Sequence, residues 1–346
     1  MENLDIKSLT FEELANELKS IGLPAFRAKQ IFEWLHVKLI KSYDEMTNLS
    51  KDLRESLKEN YPLTVLEEVD SLHSDSDGTI KYLFRLMDDR VIESVLMKYH
   101  YGNSVCISSQ VGCRMGCKFC ASTIGGKERD LLPSEMLEQI YRIQVLSGER
   151  VSHVVVMGTG EPLDNYDNLI RFLKLITQPE GLNISARNIT VSTCGIPDKI
   201  RAFAEEGLAV TLALSLHAPN NEIRKQLMPV ANQYNLHEVL DAFLFYYERT
   251  GRRLTFEYSL IDGINDEEEH AKELTKLVKG INCHINLIPV NPIKERTYQK
   301  SENKKIQNFK NILEKNRINV TIRREMGADI DAACGQLRKS YMENKE

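Results

Sequence analysis

Apolar residues in the first part of the chain recur every three or four positions. One such run extends from Phe11 to Ile21, a second begins at Phe26, and a third covers 48–60. Side chains with this spacing lie along one side of an α-helix, so each run is typical of an amphipathic helix. The pattern therefore predicts a small helical domain over residues 1–62.

The pattern becomes strand-like after this helical segment. Apolar residues alternate with polar ones after the turn at Asp77-Gly78, and a second apolar stretch follows at 91–97. Alternation with a period of two places every second side chain on the same face of a β-strand. We predict a β-hairpin or short meander over residues 63–100, which connects the helical domain to the next one.

From residue 101 onwards, short apolar segments alternate with amphipathic helical segments. The predicted strands are 105–109, 154–157, 189–192, 210–216, 254–260 and 285–289. The predicted helices are 134–146, 169–176, 197–205, 236–249 and 267–278. Buried strands that alternate with helices indicate parallel βα units, but six units are too few for a closed eightfold barrel. The predicted fold class is α/β: a partial, open (βα)6 TIM-type barrel over 101–346, with its site at the carboxyl ends of the strands.

Composition and charge limit the possible partners. No apolar run approaches the ~18 residues of a membrane-spanning helix, and the acidic first ten residues do not resemble a targeting segment, so we expect a cytoplasmic protein without a membrane partner. The net charge is -5 and the pI about 6.0, so any RNA contact must come from local basic patches. The candidate basic residues are Arg27, Lys29, Lys38, Lys41, Arg323, Arg324, Arg338 and Lys339.

Three cysteines lie close together just after the first predicted barrel strand, at Cys113, Cys117 and Cys120. A closed structural zinc site uses four protein ligands, whereas a [4Fe-4S] cluster held by three cysteines leaves one iron open to another ligand. The spacing favours such a cluster, although zinc with a fourth ligand from elsewhere, or simple core packing, remains an alternative. The total of seven cysteines is odd and unlike a disulfide framework. Cys194 and Cys283 are interpreted as structural.

Polar residues and glycines follow several of the other predicted strands. They are Gly160, Glu161, Ser192, Ser215, Leu216 with His217, and Asn291. The carboxyl ends of parallel strands meet at one rim of a barrel, so we expect these residues to surround one pocket. Each of them alone is typical of a turn or a strand end; their common location is what indicates a site.

Five motifs, CISSQVGCRMGCKFCAST, VVMGTGEPLDN, SLHAPN, NLIPVNP and DIDAACGQL, occur in this order. Together they resemble the RlmN/Cfr family of radical S-adenosylmethionine (radical SAM) RNA methyltransferases, along nearly the whole chain. The resemblance implies one [4Fe-4S] cluster on Cys113, Cys117 and Cys120, with SAM bound to its open iron. The SAM contacts that it implies are Gly160, Glu161, Ser192, Ser215, Leu216, His217 and Asn291.

The resemblance also implies a mechanism that uses two SAM molecules per turnover. Cys334 takes a methyl group from one SAM, and the second is cleaved to a 5′-deoxyadenosyl radical that removes hydrogen from this methyl group. The resulting methylene radical adds to the adenine ring, and Cys106 then attacks the sulfur of Cys334 to release methylated RNA. The family's proton acceptor corresponds to Glu93.

The implied substrates are adenosine 2503 of 23S ribosomal RNA and adenosine 37 of transfer RNAs. The implied redox partner is an electron donor such as flavodoxin, and the helical domain is expected to bind RNA. Pro162 stands where the carbon-8-methylating, Cfr-type sequences tend to carry alanine, which favours methylation at carbon 2. Two alternatives remain: carbon-8 methylation of the same ribosomal adenosine, and a non-catalytic zinc or iron–sulfur protein that binds RNA.

Overall fold

The computed structural model of the chain describes residues 4–337. Two of the candidate basic residues, Arg338 and Lys339, and the end of the domain predicted over 101–346 lie outside the described residues. Within residues 4–337, none of the helices combines the length and the apolar composition needed to cross a membrane.

The chain begins with three short helices that pack around a common core. They are α1 (Phe11–Ser20), α2 (Phe26–His36) and α3 (Lys51–Asn60). Helix α1 starts with a capping box, in which the Thr10 hydroxyl accepts from the Glu13 amide and the Glu13 carboxylate accepts from the Thr10 amide. The helices that the apolar spacing predicts at the start of the chain are present.

An antiparallel meander follows the helices and leads into the barrel. Its strands are β1 (Glu67–His73), β2 (Ile80–Arg85), β3 (Val91–Tyr99) and β4 (Gly102–Ile107). A separate two-stranded ribbon, β5 (Gln110–Gly112) and β6 (Lys127–Asp130), encloses the segment that carries the three neighbouring cysteines. The meander thus places β4 beside the barrel strands, with the cysteine segment directly after it.

Strands and helices alternate through the rest of the described chain. The remaining strands are β7 (Val151–Val156), β8 (Ile189–Thr193), β9 (Thr211–Ser215), β10 (Leu254–Leu260), β11 (Cys283–Pro289) and β12 (Asn319–Ile322). The remaining helices are α4 (Pro133–Ser147), α5 (Tyr166–Ile176), α6 (Pro197–Glu205), α7 (Asn221–Leu227), α8 (Leu236–Thr250), α9 (Glu268–Leu277) and α10 (Asn303–Lys315). All seven residues of β10 are buried, as expected of a parallel strand covered on both faces.

One ten-stranded sheet joins the meander to the barrel, in the order β1-β2-β3-β4-β7-β8-β9-β10-β11-β12. The pairs from β4 to β12 are all parallel, and β1 and β12 form the two edges. The barrel is therefore open, and the predicted α/β class with a partial TIM-type barrel is confirmed. The sequence pattern does not predict β12, because only Val320 of its four residues is buried and the strand has no apolar run. Helices α7 and α10 are also absent from the prediction.

A buried group of charges joins the helical domain to the barrel. The Lys7 ammonium donates to the Thr64 carbonyl and, at 2.6 Å, to the Glu138 carboxylate on α4. The other oxygen of Glu138 lies 3.2 Å from the Arg142 guanidinium, which also donates to the Leu39 carbonyl. Burial lowers the pKa of Lys7, and the contact with Glu138 opposes this effect. The three side chains therefore depend on one another for charge compensation.

Replacing Glu138 by glutamine removes the carboxylate that contacts both cations and leaves Lys7 and Arg142 facing each other without compensation. We expect the free energy of unfolding, measured by urea denaturation, to fall by about 3–5 kcal/mol. The matched control is Glu67→Gln, which removes an exposed ion pair with Arg85 at 3.2 Å. That control should change the free energy by less than about 1 kcal/mol. Equal losses in the two variants would contradict a structural role for the buried group.

Candidate functional site

A cavity opens at the carboxyl ends of the barrel strands, where the sequence places the site. It contains about 950 Å³ of space that no protein atom fills, part of it open to solvent. The predicted site residues that line it are Cys113, Cys117, Cys120, Gly160, Glu161, Ser192, Ser215, His217, Asn291 and Cys334. We call this space the strand-end cavity.

The three neighbouring cysteines form one wall of the strand-end cavity. Burial raises the pKa of Cys113 to about 12 and also raises those of Cys117 and Cys120. Without a nearby cation the three sulfurs are therefore protonated thiols, and bound iron would supply the positive charge that thiolates need. Gly112, with φ 73°, allows the cysteine segment to lie close to Gly126, the residue before β6. A Cβ at residue 112 would lie 1.9 Å from the Gly126 carbonyl oxygen.

The three neighbouring cysteines, Cys113, Cys117 and Cys120, line the same cavity and so could share one metal centre. Each cysteine of a [4Fe-4S] cluster binds a different iron, and three cysteines leave the fourth iron open to another ligand. Three thiols that line a cavity with room for a further ligand fit such a cluster.

Glu161 lies on the floor of the strand-end cavity and is held by backbone amides. Its two carboxylate oxygens accept from the amides of Cys194, at 2.7 Å, and Leu163, at 3.0 Å. Burial raises the pKa of Glu161, and these hydrogen bonds oppose the effect. The preceding Gly160 has φ 112°, and a Cβ there would lie 2.7 Å from the Cβ of Gln110. The glycine is therefore needed for packing against the neighbouring chain as well as for the turn.

His217 follows β9 and presents a neutral ring to the strand-end cavity. Burial lowers its pKa to about 3, with a further contribution from the nearby Arg224. The Ser259 amide donates to Nδ1 at 2.9 Å, so the ring proton lies on Nε2, which is a hydrogen-bond donor. The ring also contacts Phe119 of the cysteine segment, edge to face, at 4.8 Å between centroids.

The other predicted strand-end residues differ in what they present. The hydroxyl groups of Ser192 and Ser215 lie 3.3 Å apart on neighbouring strands and both line the strand-end cavity. The Leu216 side chain is fully buried and is not among the lining residues, although its amide donates to the Glu257 carbonyl at 3.0 Å. Leu216 could therefore contact a ligand only through its backbone.

A second cavity adjoins the first and brings together two cysteines that are far apart in sequence. Cys106 of β4 and Cys334 near the C-terminal end of the described chain both line it, and Cys334 lines the strand-end cavity as well. We call it the cysteine-pair cavity. Cys334 is exposed, whereas Cys106 is buried. Burial, with a contribution from Cys334, raises the pKa of Cys106 to about 12, and Arg323 opposes this shift.

Three hydrogen bonds hold the backbone around Cys334 in place. The Asn291 side chain donates to the Cys334 carbonyl at 3.0 Å, and the Ala121 amide donates to the Gly335 carbonyl at 2.8 Å. The Ser122 hydroxyl donates to the Leu337 carbonyl at 2.8 Å. Asn291, predicted as a SAM contact, thus also binds the segment that carries Cys334.

Glu93 occupies a position apart from the other predicted site residues. It is buried on β3 and lies 3.4 Å from the Lys81 ammonium. It lines a third cavity, which shares only Ser122 with the two already described. The structure therefore does not bring Glu93 into the same space as Cys106 and Cys334.

Arg323 and Cys194 are among the residues that line the strand-end cavity without having been predicted there. Arg323, interpreted from the sequence as part of a basic surface patch, lines both this cavity and the cysteine-pair cavity. Its guanidinium lies 3.7 Å from the buried Glu257 carboxylate, and the electrostatic interaction with Cys334 is the largest of the influences that raise the pKa of Arg323. Arg323 directly follows β12. A prediction that included this strand would therefore have placed Arg323 at the carboxyl-end rim of the barrel. Cys194, predicted to be structural, also lines the strand-end cavity, unlike Cys283.

Known proteins are similar to this chain along nearly its whole length. A profile of the Radical SAM superfamily matches residues 107–275, and one described as the ribosomal RNA large subunit methyltransferase N-terminal domain matches residues 4–62. A protein of Lachnoclostridium phytofermentans named probable dual-specificity RNA methyltransferase RlmN is 67% identical over 98% of this chain and 96% of its own length. One of the same name from Lachnospira eligens is 63% identical over 98% and 97%.

A solved structure agrees with these sequence matches. The crystal structure of a radical SAM methyltransferase from Sphaerobacter thermophilus is similar to this chain with a TM-score of 0.94 and 43% sequence identity. The match covers 97% of this chain and 99% of that protein. The similarity therefore includes both the helical domain and the barrel.

The buried, neutral state of His217 predicts a dependence of stability on pH. In the unfolded chain the imidazole binds a proton near pH 6.5, whereas the folded ring stays neutral down to about pH 3. The unfolded state thus binds the extra proton in this window, and one proton lowers stability by about 1.4 kcal/mol for each unit of falling pH. His217→Asn should reduce this slope by about that amount in urea denaturation between about pH 4 and 6. The exposed His237→Asn serves as the control, and an unchanged slope in His217→Asn would contradict the assignment.

Proposed function

Since the chain belongs to the RlmN family of dual-specificity RNA methyltransferases, within the radical SAM superfamily, we propose that it methylates carbon 2 of adenosine in RNA through a methyl group carried on Cys334. The proposed substrates are adenosine 2503 of 23S ribosomal RNA and adenosine 37 of transfer RNAs. The observation that carries the proposal is the position of Cys334, which lines both the cavity of the three neighbouring cysteines and the cavity of Cys106.

The chemistry of the target atom explains why such an arrangement is needed. The hydrogen on carbon 2 of adenine is not acidic, and SAM delivers an electrophilic methyl group, so direct polar transfer is poorly matched. Radical addition of a carbon that is already attached to a protein sulfur avoids this mismatch. Such a route requires a cofactor that generates radicals, a sulfur that carries the carbon, and a second group that releases the product.

The strand-end cavity provides groups suited to the cofactors. In this proposal Cys113, Cys117 and Cys120 hold one [4Fe-4S] cluster, which when bound supplies the electron for reductive cleavage of SAM to a 5′-deoxyadenosyl radical. The Glu161 carboxylate, whose oxygens retain accepting capacity, suits the ammonium group of SAM. The Nε2–H of His217 suits a carboxylate or a ribose hydroxyl group. The further SAM contacts proposed are Gly160, Ser192, Ser215, Leu216 and Asn291.

Cys334 and Cys106 divide the remaining chemistry between them. Exposed Cys334 accepts a methyl group from one SAM, and a second SAM is consumed to activate that methyl group, so two are used per turnover. After the methylene radical has added to carbon 2, the adduct must lose the carbon-2 proton and one electron, which the redox centre that supplied it would take back. The Cys106 thiolate then attacks the sulfur of Cys334. An S–S bond forms, the S–CH₂ bond breaks, and its electron pair leaves on carbon, which takes a proton to become methyl. An external thiol must then reduce the disulfide before the next turnover.

Burial makes Cys106 a weak acid, with a pKa of about 12, so its thiolate must be stabilised when it reacts. Arg323 is suited to this purpose, because it lines the cysteine-pair cavity and lowers the pKa of Cys106. A guanidinium remains charged over the whole working range of pH. The contact therefore supports a resolving role for Cys106.

Glu93 is the proposed acceptor of the proton that leaves carbon 2. Because its cavity meets the other two only at Ser122, this role requires the adenine ring to lie beside Ser122. The buried Lys81, 3.4 Å away, keeps the carboxylate in place on β3. A general base must come within hydrogen-bonding distance of the proton that it accepts.

The proposal also covers RNA binding and the supply of electrons. Residues 1–62 form an RNA-binding domain, which the match of residues 4–62 to a ribosomal RNA methyltransferase domain supports. Residues 63–100 connect it to the catalytic barrel, 101–346. An electron donor such as flavodoxin would reduce the cluster.

The two cysteines give a direct test of this mechanism. Cys106→Ala should stop turnover after the carbon bond has formed, because no thiolate remains to break the S–CH₂ bond, and RNA should stay covalently attached to Cys334. Cys334→Ala should yield neither attached RNA nor methylated product. Denaturing gels and mass spectrometry of the cross-linked peptide measure both outcomes. The control is Cys283→Ala, which should retain activity; normal turnover by Cys106→Ala would exclude its resolving role.

The position of the methyl group distinguishes the proposal from carbon-8 methylation. RNA modified by the enzyme, digested to nucleosides and analysed by mass spectrometry, should contain 2-methyladenosine. Ribosomal and transfer RNA are analysed separately, and cells that lack the gene should lose 2-methyladenosine from each true substrate. Detection of 8-methyladenosine instead would contradict the carbon-2 assignment and favour the Cfr-type reaction.

A further inference from the structure

The segment that precedes Cys334 is bound by a turn from a distant part of the chain. We call residues 327–337 the cysteine loop, and residues 74–79, which connect β1 and β2, the receptor turn. The Asp329 carboxylate accepts from the Ser74 hydroxyl at 2.8 Å and from the Asp75 amide at 3.1 Å. The hydrogen bond from Ser74 is the largest cause of the lowered pKa of Asp329. The carboxylate of the loop is thus held by donors of the turn.

The receptor turn also contributes a carboxylate to the same contact. Asp77 accepts from the Gly327 amide at 2.9 Å and, through its other oxygen, from the Thr79 amide at 2.9 Å. Gly327 has φ 63°, and a Cβ there would lie 2.8 Å from both the Thr79 methyl group and the Ala332 Cβ. The two segments therefore approach more closely than any side chain at residue 327 would permit.

A third contact joins the cysteine loop to Lys81 of β2, which also lies beside the proposed proton acceptor. Lys81, two residues beyond the turn, donates to the Asp331 carbonyl at 3.1 Å and lies 3.4 Å from Glu93. Within the cysteine loop, the Ala332 amide donates back to the Gly327 carbonyl at 2.9 Å. The part of the loop that leads to Cys334 is thereby fixed on the same hairpin that carries Glu93.

Cys334 lies between two sets of anchors. On its N-terminal side, residues 327–331 are bound to the receptor turn and Lys81; on its C-terminal side, the carbonyls of residues 335 and 337 are bound by residues 121 and 122. The Cys334 side chain itself is exposed and lacks a rigid secondary-structure element around it. A loop fastened at both ends has far fewer conformations than one fastened at a single end, which raises the effective concentration of its side chains at a nearby site.

We propose that the receptor turn positions the reactive sulfur, with Asp329 as the positioning residue that keeps Cys334 within reach of Cys106. This inference rests on the proposed function, in which the two sulfurs must meet in every turnover. Asp329 touches neither cysteine; it acts through the loop. Loss of its contact would leave the fold of the barrel intact but would reduce the frequency with which the two sulfurs come together.

The equilibrium between the two thiols and their disulfide measures this effect without RNA or SAM. The cluster-loaded protein is equilibrated anaerobically with oxidised and reduced dithiothreitol. The two thiols give two electrons and two protons to oxidised dithiothreitol, which becomes the dithiol as the Cys106–Cys334 bond forms. After free thiols have been alkylated, peptide mass spectrometry measures the fraction of this disulfide. The ratio gives the effective concentration of one thiol at the other.

Asp329→Ala is expected to lower that effective concentration about tenfold, because a charged acceptor loses its donors from the turn. Ser74→Ala should act in the same direction, and Ser74→Ala combined with Asp329→Ala should lower it no further than Asp329→Ala alone. The matched control is Asp331→Asn, a carboxylate of the same loop that makes no side-chain hydrogen bond within residues 4–337. Asp331→Asn should leave the effective concentration unchanged.

Hydrogen–deuterium exchange gives a second, independent measurement of the same anchor. The amides of Asp75 and Gly327 should exchange faster in Asp329→Ala than in the parent protein, while the strands of the barrel keep their protection. Equal disulfide equilibria and equal exchange in the parent and Asp329→Ala would overturn the inference. The inference would also be overturned if Asp331→Asn lowered the effective concentration as much as Asp329→Ala does and both variants had a lower free energy of unfolding.

The two proposals fail in different ways. If the parent protein formed no Cys106–Cys334 disulfide, the resolving pair of the proposed function would be wrong, and unchanged exchange at residue 327 would then decide against the anchor. If the disulfide equilibrium responded as expected while RNA remained unmethylated, the positioning role would stand and the proposed reaction would not.

Discussion

The hydrogen bonds that fasten the C-terminal segment to the loop after the three neighbouring cysteines govern the geometry of the site. Donors from Ala121, Ser122 and Asn291 hold carbonyl groups of residues 334–337, and so bring the end of the described chain across the mouth of an open barrel. Without these bonds the strand-end cavity would lose one wall, and Cys334 would have no fixed relation to the other sulfurs. Buried backbone carbonyls need hydrogen-bond donors, and the Ala121 amide and the Ser122 and Asn291 side chains supply them here.

Burial sets the charge state of the cysteine and histidine side chains that line the site. It raises the pKa values of Cys106, Cys113, Cys117 and Cys120, and it keeps His217 neutral. In such surroundings a thiolate forms only beside a compensating positive charge, because water is not available to solvate it. In the proposed function bound iron would supply this charge to Cys113, Cys117 and Cys120, and Arg323 supplies it to Cys106. The buried cysteines of the site are therefore expected to react as thiolates only when a positively charged group lies beside them.

The hairpin between the helical domain and the barrel has two structural tasks. Its strands extend the parallel sheet at one edge, so that Glu93 lies on the strand next to Cys106. Its first turn receives the segment that precedes Cys334 through Ser74, Asp77 and Asp329. The helical domain is locked to the barrel through the buried Lys7, Glu138 and Arg142. Long-range polar contacts of this kind give the parts of the chain one fixed arrangement, although the barrel itself has an open edge.

Local patterns of the sequence determined much of this protein. Three features could be recognised from residues that are close together in the sequence. They are the helical repeat near the start, the alternation of apolar strands with helices, and the three cysteines after the first barrel strand. Since the carboxyl ends of parallel strands meet at one rim, Glu161, Ser192, Ser215, His217 and Asn291 could be expected around one cavity before their contacts were known.

Tertiary structure alone decided the features that depend on distant segments. The edge strand β12, with a single buried residue, has no pattern strong enough to reveal it, and without it Arg323 resembled a surface cation. The attachment of Asp329 to the turn at Ser74 follows from a contact between residues some 250 positions apart. The separate cavity of Glu93 likewise depends on segments that are not neighbours in the sequence. No periodicity along the chain encodes such contacts, because they are set by how the sheet curves and where the C-terminal segment crosses it. The sequence therefore specified which reactive groups are present, and the packing of remote elements decided which of them meet.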